Sequence, residues 1–369
     1  MNEVHLGLLS TSDIRITMIS NNTSKNNRLI LAKRPEKGPV TPETFKLETV
    51  DLELVQDGQV RVKVEYSAIE ATMRNWLNEA RSYIEPVKLG AVMRAIGVGR
   101  VVESKSDELK AGDLVYGLLG WQEYWQGSAK EVKKRDTPPG GRDFDHIGLL
   151  GSSGMTAYVG MFDIGQLKDG DVVVVSAAAG SVGLIAVQIA LAHPKCKVIA
   201  IAGSDDKCQM LKDMGCHVAL NYKSEDFKQK FKDIGLIDVY FDNVGGEILD
   251  MVLGRLNPHA RIIACGAVSA YSAKTPYGLV NYTSLISMKA KIQGFIVMEH
   301  AHRFAEAGAY LAKLAKEGKM KYDYTILEPK DGEQNGLSRC VEGMELVSSG
   351  NNVGKTVIHM SRSDRKASL

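Results

Sequence analysis

The sequence is short of the features that mark several large protein classes. Its five cysteines stand at 196, 208, 216, 265 and 340, an odd number with none in the first half of 369 residues. That pattern is no disulfide framework, and reduced thiols suit an intracellular protein. No cysteine pair has the C-x2-C spacing of a zinc site. The histidines at 146, 193, 217, 259, 300, 302 and 359 lack such companions and form no H-E-x-x-H. His300 and His302, read on a helix, point to different faces, so no metal is expected. No Gly-x-Ser-x-Gly elbow occurs, which leaves a triad hydrolase without its nucleophile turn.

No apolar run approaches the ~20 residues that a membrane span requires. The 46 basic and 44 acidic residues nearly cancel, to +2, and are spread along the chain, so nothing builds a nucleic-acid-binding stripe. Residues 1–27 lack the cationic start and apolar core of a secretory signal and read as a polar extension. Ala367-Ser368-Leu369 lacks the basic middle residue of a peroxisomal address. The expected location is the cytoplasm, with neither nucleic acid nor membrane as a partner.

What is present is an ordinary globular chain of 44% apolar and 24% charged residues, long enough for two domains. The first third alternates short β-like runs with turns, at 28–33, 59–65, 98–103 and 110–116, and suggests a compact β-barrel-like module. Pro138-Pro139-Gly140-Gly141 breaks the pattern. From about residue 150 strands and helices alternate: strand 172–176, helix 181–192, strand 197–202, helix 205–214, strand 217–221, helix 224–233, strand 237–243, helix 246–256, strand 261–266. The run of four valines from 172 is too uniformly apolar for a half-exposed strand and suits the centre of a parallel sheet covered on both faces. Together these units predict a doubly wound parallel sheet. The tail turns β-like again at 324–327 and 355–359 and is expected to rejoin the first module.

Between the valine strand and the next helix lies Ser176-Ala177-Ala178-Ala179-Gly180-Ser181-Val182-Gly183. Gly180 and Gly183 take the second and third glycine positions of a dinucleotide-binding fingerprint, with Ala178 at the first. A glycine at the second position lets the backbone approach a pyrophosphate, and the helix amino terminus offers free N–H groups and a positive dipole end. The second strand ends in Ala202-Gly203-Ser204-Asp205-Asp206-Lys207. The two acids read as helix-start residues. Lys207 can meet a ribose 2′-phosphate as a point charge, or lie solvated on the helix face.

Taken together, the blocks at 154–158, 177–183, 203–207, 221–223, 240–246, 265–271, 294–297 and 352–355 resemble the medium-chain dehydrogenase/reductase superfamily. Within it the chain looks like the zinc-independent leukotriene B4 12-hydroxydehydrogenase/prostaglandin reductase branch. Arg74, Ala80-Arg81-Ser82-Tyr83 and the block 92–97 are similar to its bacterial curcumin-reductase-like subgroup. The resemblance implies a GroES-like β-barrel catalytic domain, in segments 28–141 and 319–369, around a Rossmann domain at 142–318. It implies NADPH, with Gly180, Ser181, Val182 and Gly183 on the diphosphate and Lys207 and Tyr222 on the 2′-phosphate. Asn243, Cys265, Gly266, Ala267, Val268, Ser269, Tyr271, Phe295, Ile296, Val297 and Asn352 fall at the remaining cofactor positions.

The implied activity is reduction of the C=C bond of α,β-unsaturated ketones and aldehydes. Tyr271 and a cofactor ribose hydroxyl would stabilise the enolate. A quinone reductase, a hydroxydehydrogenase and a non-catalytic NADPH-binding protein remain as alternatives, and a homodimer is expected by analogy. Many relatives carry Ser-x-Asp-Pro-Tyr-Met-Arg where this chain has Ser67 to Arg74 without the Asp-Pro pair and the tyrosine. They usually have alanine at the position of Ser181.

Overall fold

The computed structural model describes residues 25–361, so most of the amino-terminal extension and the last eight residues, the carboxyl-terminal tripeptide among them, lie outside the described part. The first strand takes in Lys25 to Asn27, three residues of the expected extension. The first module comprises β1 (Lys25–Leu31), β2 (Phe45–Asp51), β3 (Gln59–Ala68), a single helical turn α1 (Met73–Trp76), β4 (Gly97–Ser104), β5 (Leu114–Gly117), β6 (Tyr124–Ser128) and β7 (Val132–Lys134). β2 escapes a search for apolar alternation because, of its seven residues, only Phe45 is buried.

The second module runs α2 (Ser152–Val159), β8 (Val172–Val175), α3 (Gly183–Ala192), β9 (Lys197–Ala202), α4 (Asp205–Asp213), β10 (Val218–Asn221), α5 (Phe227–Asp233), β11 (Ile237–Asp242), α6 (Gly246–Leu253), β12 (Leu256–Ala264), α7 (Val268–Tyr271), α8 (Ser284–Ser287), β13 (Lys291–Gly294) and α9 (Phe304–Lys316). The chain then returns through β14 (Tyr324–Leu327), α10 (Cys340–Ser349) and β15 (Lys355–His359).

Six parallel strands pair in the order β10-β9-β8-β11-β12-β13. The strand order reverses at β8, where β9 lies on one side and β11 on the other; this is the doubly wound arrangement. The valines of β8 serve both faces. Val173 and Val175 enter one core with Val198, Phe241 and Ile263, while Val174 enters the other with Ile199, Tyr240 and Ile262. The mixed sheet of the first module has the order β14-β15-β3-β4-β5-β7, with β6 also on β3, so β14 and β15 of the returning chain pair into it. Its core gathers Val60, Val62, Met73, Leu77, Met93 and Trp121 with Met344 and Ile358 of the return segment.

In the parallel-sheet module three boundaries differ from the sequence pattern by three residues or more. β12 starts at Leu256, five residues before the apolar run at 261, and carries Pro258 and the left-handed His259 (φ 64°). A register shift in the pairing of β11 with β12 absorbs that irregular start. α6 stops at Leu253 because Arg255 has already begun to pair, accepting from the amide of Ile237. α5 begins at Phe227, since Ser224 to Asp226 are held in a turn by the Ser224 hydroxyl, which donates to Asn221 O and Asp226 Oδ1 at 2.8 Å each.

The segment Val297–Arg303 is a 3-10 turn that leaves helical geometry at His300 (φ −99°, ψ 23°). The rings of His300 and His302 therefore stack 6.1 Å apart instead of facing different ways. His300 Nδ1 lies 3.3 Å from Asp163 Oδ2. Among the described residues, no group of three or more His, Cys, Asp and Glu is placed to hold a metal, and no helix is long and apolar enough to cross a membrane.

Candidate active site

The site assembles outside the carboxyl ends of the parallel strands, around the point where their order reverses. β8 ends at Val175, and Ala177 takes a left-handed backbone (φ 46°) that swings the chain into the loop before α3. A side chain on Gly183 would put its Cβ 2.3 Å from Ala177 O, so only glycine lets helix and strand meet there. At Gly180 the sole atom within 4 Å of an added Cβ is Ala177 O at 3.1 Å, so the outer side of the loop is open. The amides of Ser181, Val182 and Gly183 donate to no acceptor among the described residues. Tyr322 steadies the loop from behind, its hydroxyl donating to Ser181 O at 3.1 Å. Free amides at a helix start beneath an open glycine fit the diphosphate of a dinucleotide.

The return segment closes the other wall of this loop. Gly354 N–H donates to Ala179 O at 2.8 Å, and Gly354 bridges Gly180 in parallel. Asn352 lies in that turn, its amide donating to Gly354 O at 2.9 Å. Lys207, from the first turn of α4, reaches over and donates to Gly350 O and to Asn352 O. Two expected cofactor residues, 145 positions apart, thus meet.

Burial, and then the charge of Lys223, pull the Lys207 ammonium below the usual lysine value. Tyr222 and Lys223 close over Gly203: a Cβ there would lie 3.0 Å from the Tyr222 ring and 3.5 Å from Lys223 Cε. Two ammonium groups sharing a corner with a half-exposed aromatic ring make an anion site at the outer end of β9 and β10. Lys223 was not singled out in the sequence. Its signal was a second lysine directly after a strand-end tyrosine.

On the other side of β8, Asp242 ends β11 buried. Its Oδ1 accepts from Tyr240 OH at 2.9 Å, from the Val244 amide at 3.0 Å and from the Gly245 amide at 2.7 Å. Burial raises its carboxyl above the ordinary aspartate value, against those donors. Asn243 locks β11 to β8 by donating from its side chain to Ser176 O at 2.8 Å and from its backbone to Ser176 Oγ at 3.0 Å. Asp242, too, escaped the sequence reading, because a lone acid in an apolar strand carries no motif.

β12 then delivers Cys265 and Gly266, whose amides donate to Asp242 O at 3.0 Å each. Ala267 leads into α7, where Val268 and Ser269 donate through their amides to Asn243 O and Val244 O. Tyr271, the last residue of that turn, folds back over Gly266. A Cβ at 266 would stand 3.3 Å from the phenol oxygen. That oxygen accepts from the Ala267 amide at 3.1 Å, which leaves its own proton free to be donated. Burial, followed by the proximity of Cys265, Tyr83 and Asp242, raises the phenol above its ordinary value, so Tyr271 keeps its proton at neutral pH. Gly294 pairs beside Ala264, so Phe295, Ile296 and Val297 emerge next to Cys265. Phe295 and Val297 also pack against the main core.

The first module supplies the facing wall. Arg74, buried, holds the carbonyls of Glu36 at 2.6 Å and Gly38 at 3.2 Å and the side chain of Asn78 at 2.8 Å. From that pinned loop Lys37 reaches across to Lys274 O at 2.8 Å. Thr72 stands where relatives carry tyrosine, and Tyr83 OH lies 3.4 Å from its Oγ1. A second phenol thus reaches the wall opposite Tyr271 from a different loop. The sequence pattern placed Tyr83 only in a subgroup signature.

Comparison with known proteins shows the family of the chain. Residues 27–134 match the model of the N-terminal domain of oxidoreductases, and residues 181–313 match that of zinc-binding dehydrogenases. The chain is 35% identical to the NADPH-dependent curcumin reductase of Escherichia coli, over 92% of this chain and 98% of that protein. It is 32% identical to the NADP(+)-dependent 2-alkenal reductase of Nicotiana tabacum, over 91% and 98%. The crystal structure of CurA from Vibrio vulnificus in complex with NADPH superposes with a TM-score of 0.84 at 33% identity, covering 91% of this chain and 99% of that one.

One consequence concerns the thiol at the centre of the site. Burial pushes Cys265 up to about 12, so at about pH 8 its thiolate fraction is on the order of 1 in 10,000. Iodoacetamide at that pH should leave Cys265 unmodified over a time that fully labels the urea-unfolded chain, as read by peptide mass. Native labelling as fast as unfolded labelling would place a thiolate in the site.

Proposed function

The chain belongs to the zinc-independent medium-chain dehydrogenase/reductase family, in its double-bond reductase branch, and from that premise we propose that it uses NADPH to reduce the C=C bond of α,β-unsaturated ketones and aldehydes. The observation that carries this reading is the juxtaposition at the reversal point of the sheet. A cradle of free amides and a two-lysine anion corner lie on one side, and a phenol with a free proton lies on the other.

Residues Gly180 to Gly183 would hold the diphosphate, and Lys207, Tyr222 and Lys223 the 2′-phosphate. Asn243, Cys265 to Ser269, Phe295 to Val297 and Asn352 would line the remainder. When bound, NADPH supplies a hydride. The protein's part is to orient substrate and cofactor, keep water out of the cleft, and place the Tyr271 proton where the substrate oxygen gains charge. In this reading hydrogen bonding does the polarising. The protein is taken to act in the cytoplasm.

The same reading includes a homodimer. β13 is the outermost strand of the parallel sheet, and its outer edge pairs with nothing among the described residues. Around it lie exposed Val280, Tyr282, Ile286 and Ile292. An open strand edge with apolar flanks invites pairing, and a two-fold axis beside β13 would join two copies edge to edge. Sedimentation should show a dimer, and Ile286→Asp should shift it toward monomer with unchanged circular dichroism. A wild-type monomer at micromolar concentration would remove the dimer.

The function is tested by NADPH oxidation with enals, enones, quinones and secondary alcohols, the product of each being identified. Lys207→Ala removes a charge-assisted contact of roughly 1.5–3 kcal/mol, so NADPH should bind about tenfold or more weakly. NADH affinity should barely change. Equal loss for both cofactors would assign Lys207 to holding the loop at 350–352.

Tyr271→Phe keeps the ring and deletes the donor. Turnover of an active enone should fall by about 10- to 1000-fold while NADPH affinity changes far less. A variant that turns over like wild type would remove Tyr271 from the chemistry.

A further inference from the structure

Lys355 is the one lysine among the described residues whose side chain is wholly buried, at 0% exposure. Its ammonium lies 2.5 Å from Glu70 Oε1, and the Ser152 hydroxyl donates to the same oxygen at 3.0 Å. Glu70 sits in the turn between β3 and α1, Ser152 opens α2, and Lys355 opens β15. One carboxylate oxygen therefore joins three separate stretches of chain: the substrate-side wall, the start of the parallel-sheet module and the return segment. Removing two charges from water costs about as much as their attraction returns, so such a pair is weak evidence of a stabilising role. Its presence calls for another reason.

The neighbours of each partner supply one. One residue before Lys355, Gly354 donates to Ala179 O beside the open glycine loop. Three residues before it, Asn352 O holds Lys207. Two residues after Glu70, Thr72 meets Tyr83 on the facing wall. The second oxygen of Glu70 has no partner among the described residues, and the side chain keeps 16% exposure. The carboxylate's charge is felt at Cys265, Tyr116 and Tyr322, which places it at the junction of the two modules.

We propose that Glu70 is a positioning residue: locked to Lys355 and Ser152, it sets the substrate-side wall against the cofactor loop, and so fixes how the nicotinamide half of a bound cofactor meets the enone. This rests on the reading of NADPH-dependent C=C reduction. Glu70 touches neither the diphosphate loop nor the 2′-phosphate corner, so the adenosine half should bind without it.

The test compares wild type, Glu70→Gln, Lys355→Met and the double variant. Lys355→Met alone strands a buried carboxylate and can fail to fold; the double variant removes both charges and should unfold near the wild-type midpoint. In that double variant 2′,5′-ADP should bind within about twofold of wild type, and NADPH about three- to tenfold more weakly. Turnover of an enone at saturating NADPH should fall about 30-fold or more, with a larger isotope effect from 4-deuterated NADPH, because a misplaced donor slows the hydride step.

A folded double variant with both NADPH affinity and turnover within about twofold of wild type would overturn the proposal and make the pair a packing device. If the wild-type chain binds NADPH but reduces no enone, the functional reading fails separately. Glu70 then stands if the affinity gap between NADPH and 2′,5′-ADP narrows in the double variant, and falls if it does not.

Discussion

The contact on which the rest of the molecule depends is the one between Gly354 and the loop before α3. The chain leaves its first module at about residue 134, builds a complete six-stranded sheet, and comes back to donate one amide to Ala179 O. A side chain at Gly354, whose φ is 60°, would drive its Cβ to 1.9 Å from Asp323 O. The return therefore passes through a gap that admits backbone alone. Because the segment that closes the mixed sheet also walls the glycine loop, the cofactor side and the substrate side are two faces of one structure.

That arrangement explains how polar groups are tolerated so near two apolar cores. Asp242 is buried at the end of β11, yet it gathers two amides and a phenol, so the turn at 243–246 is built on it. Ser176 is fully buried and is satisfied by Asn243 across the gap between β8 and β11. Each strand end that opens the crevice is thus tied to its neighbour by a polar residue whose partners are other backbone groups.

Much of the parallel sheet was legible because its signals are local. A run of valines, a glycine pair at fixed spacing and alternating strand and helix lengths all lie within windows of a few residues. β14 and β15 begin and end where their apolar alternation does. β2 was invisible because its strand character comes from pairing with β1 and not from its own burial. β12 looked shorter than it is because Pro258 and His259 mark a break in any single sequence, and only pairing with β11 shows that the strand survives them. The site divides in the same way. Gly180, Lys207 and Tyr271 are candidates singled out by position relative to strand ends. Lys223, Asp242, Tyr83 and the Glu70–Lys355 pair depend on contacts between distant segments, which no spacing rule encodes.

The reacting end of the site has a further property that follows from its burial. Tyr271 and Cys265 are both raised above their ordinary values. A zinc-dependent relative can lower the energy of a developing oxyanion with a fixed double positive charge. In the reaction proposed for this chain the corresponding resource would be the Tyr271 phenol, whose proton is held more tightly than in water and whose oxygen is oriented by the Ala267 amide. A donor of that kind strengthens its bond as charge grows on the acceptor, so under the proposed reaction it would discriminate between the ground-state carbonyl and the enolate that follows. The glycine at 266 is what lets the phenol lie over the backbone, so the proposed role of the tyrosine would depend on the glycine as well.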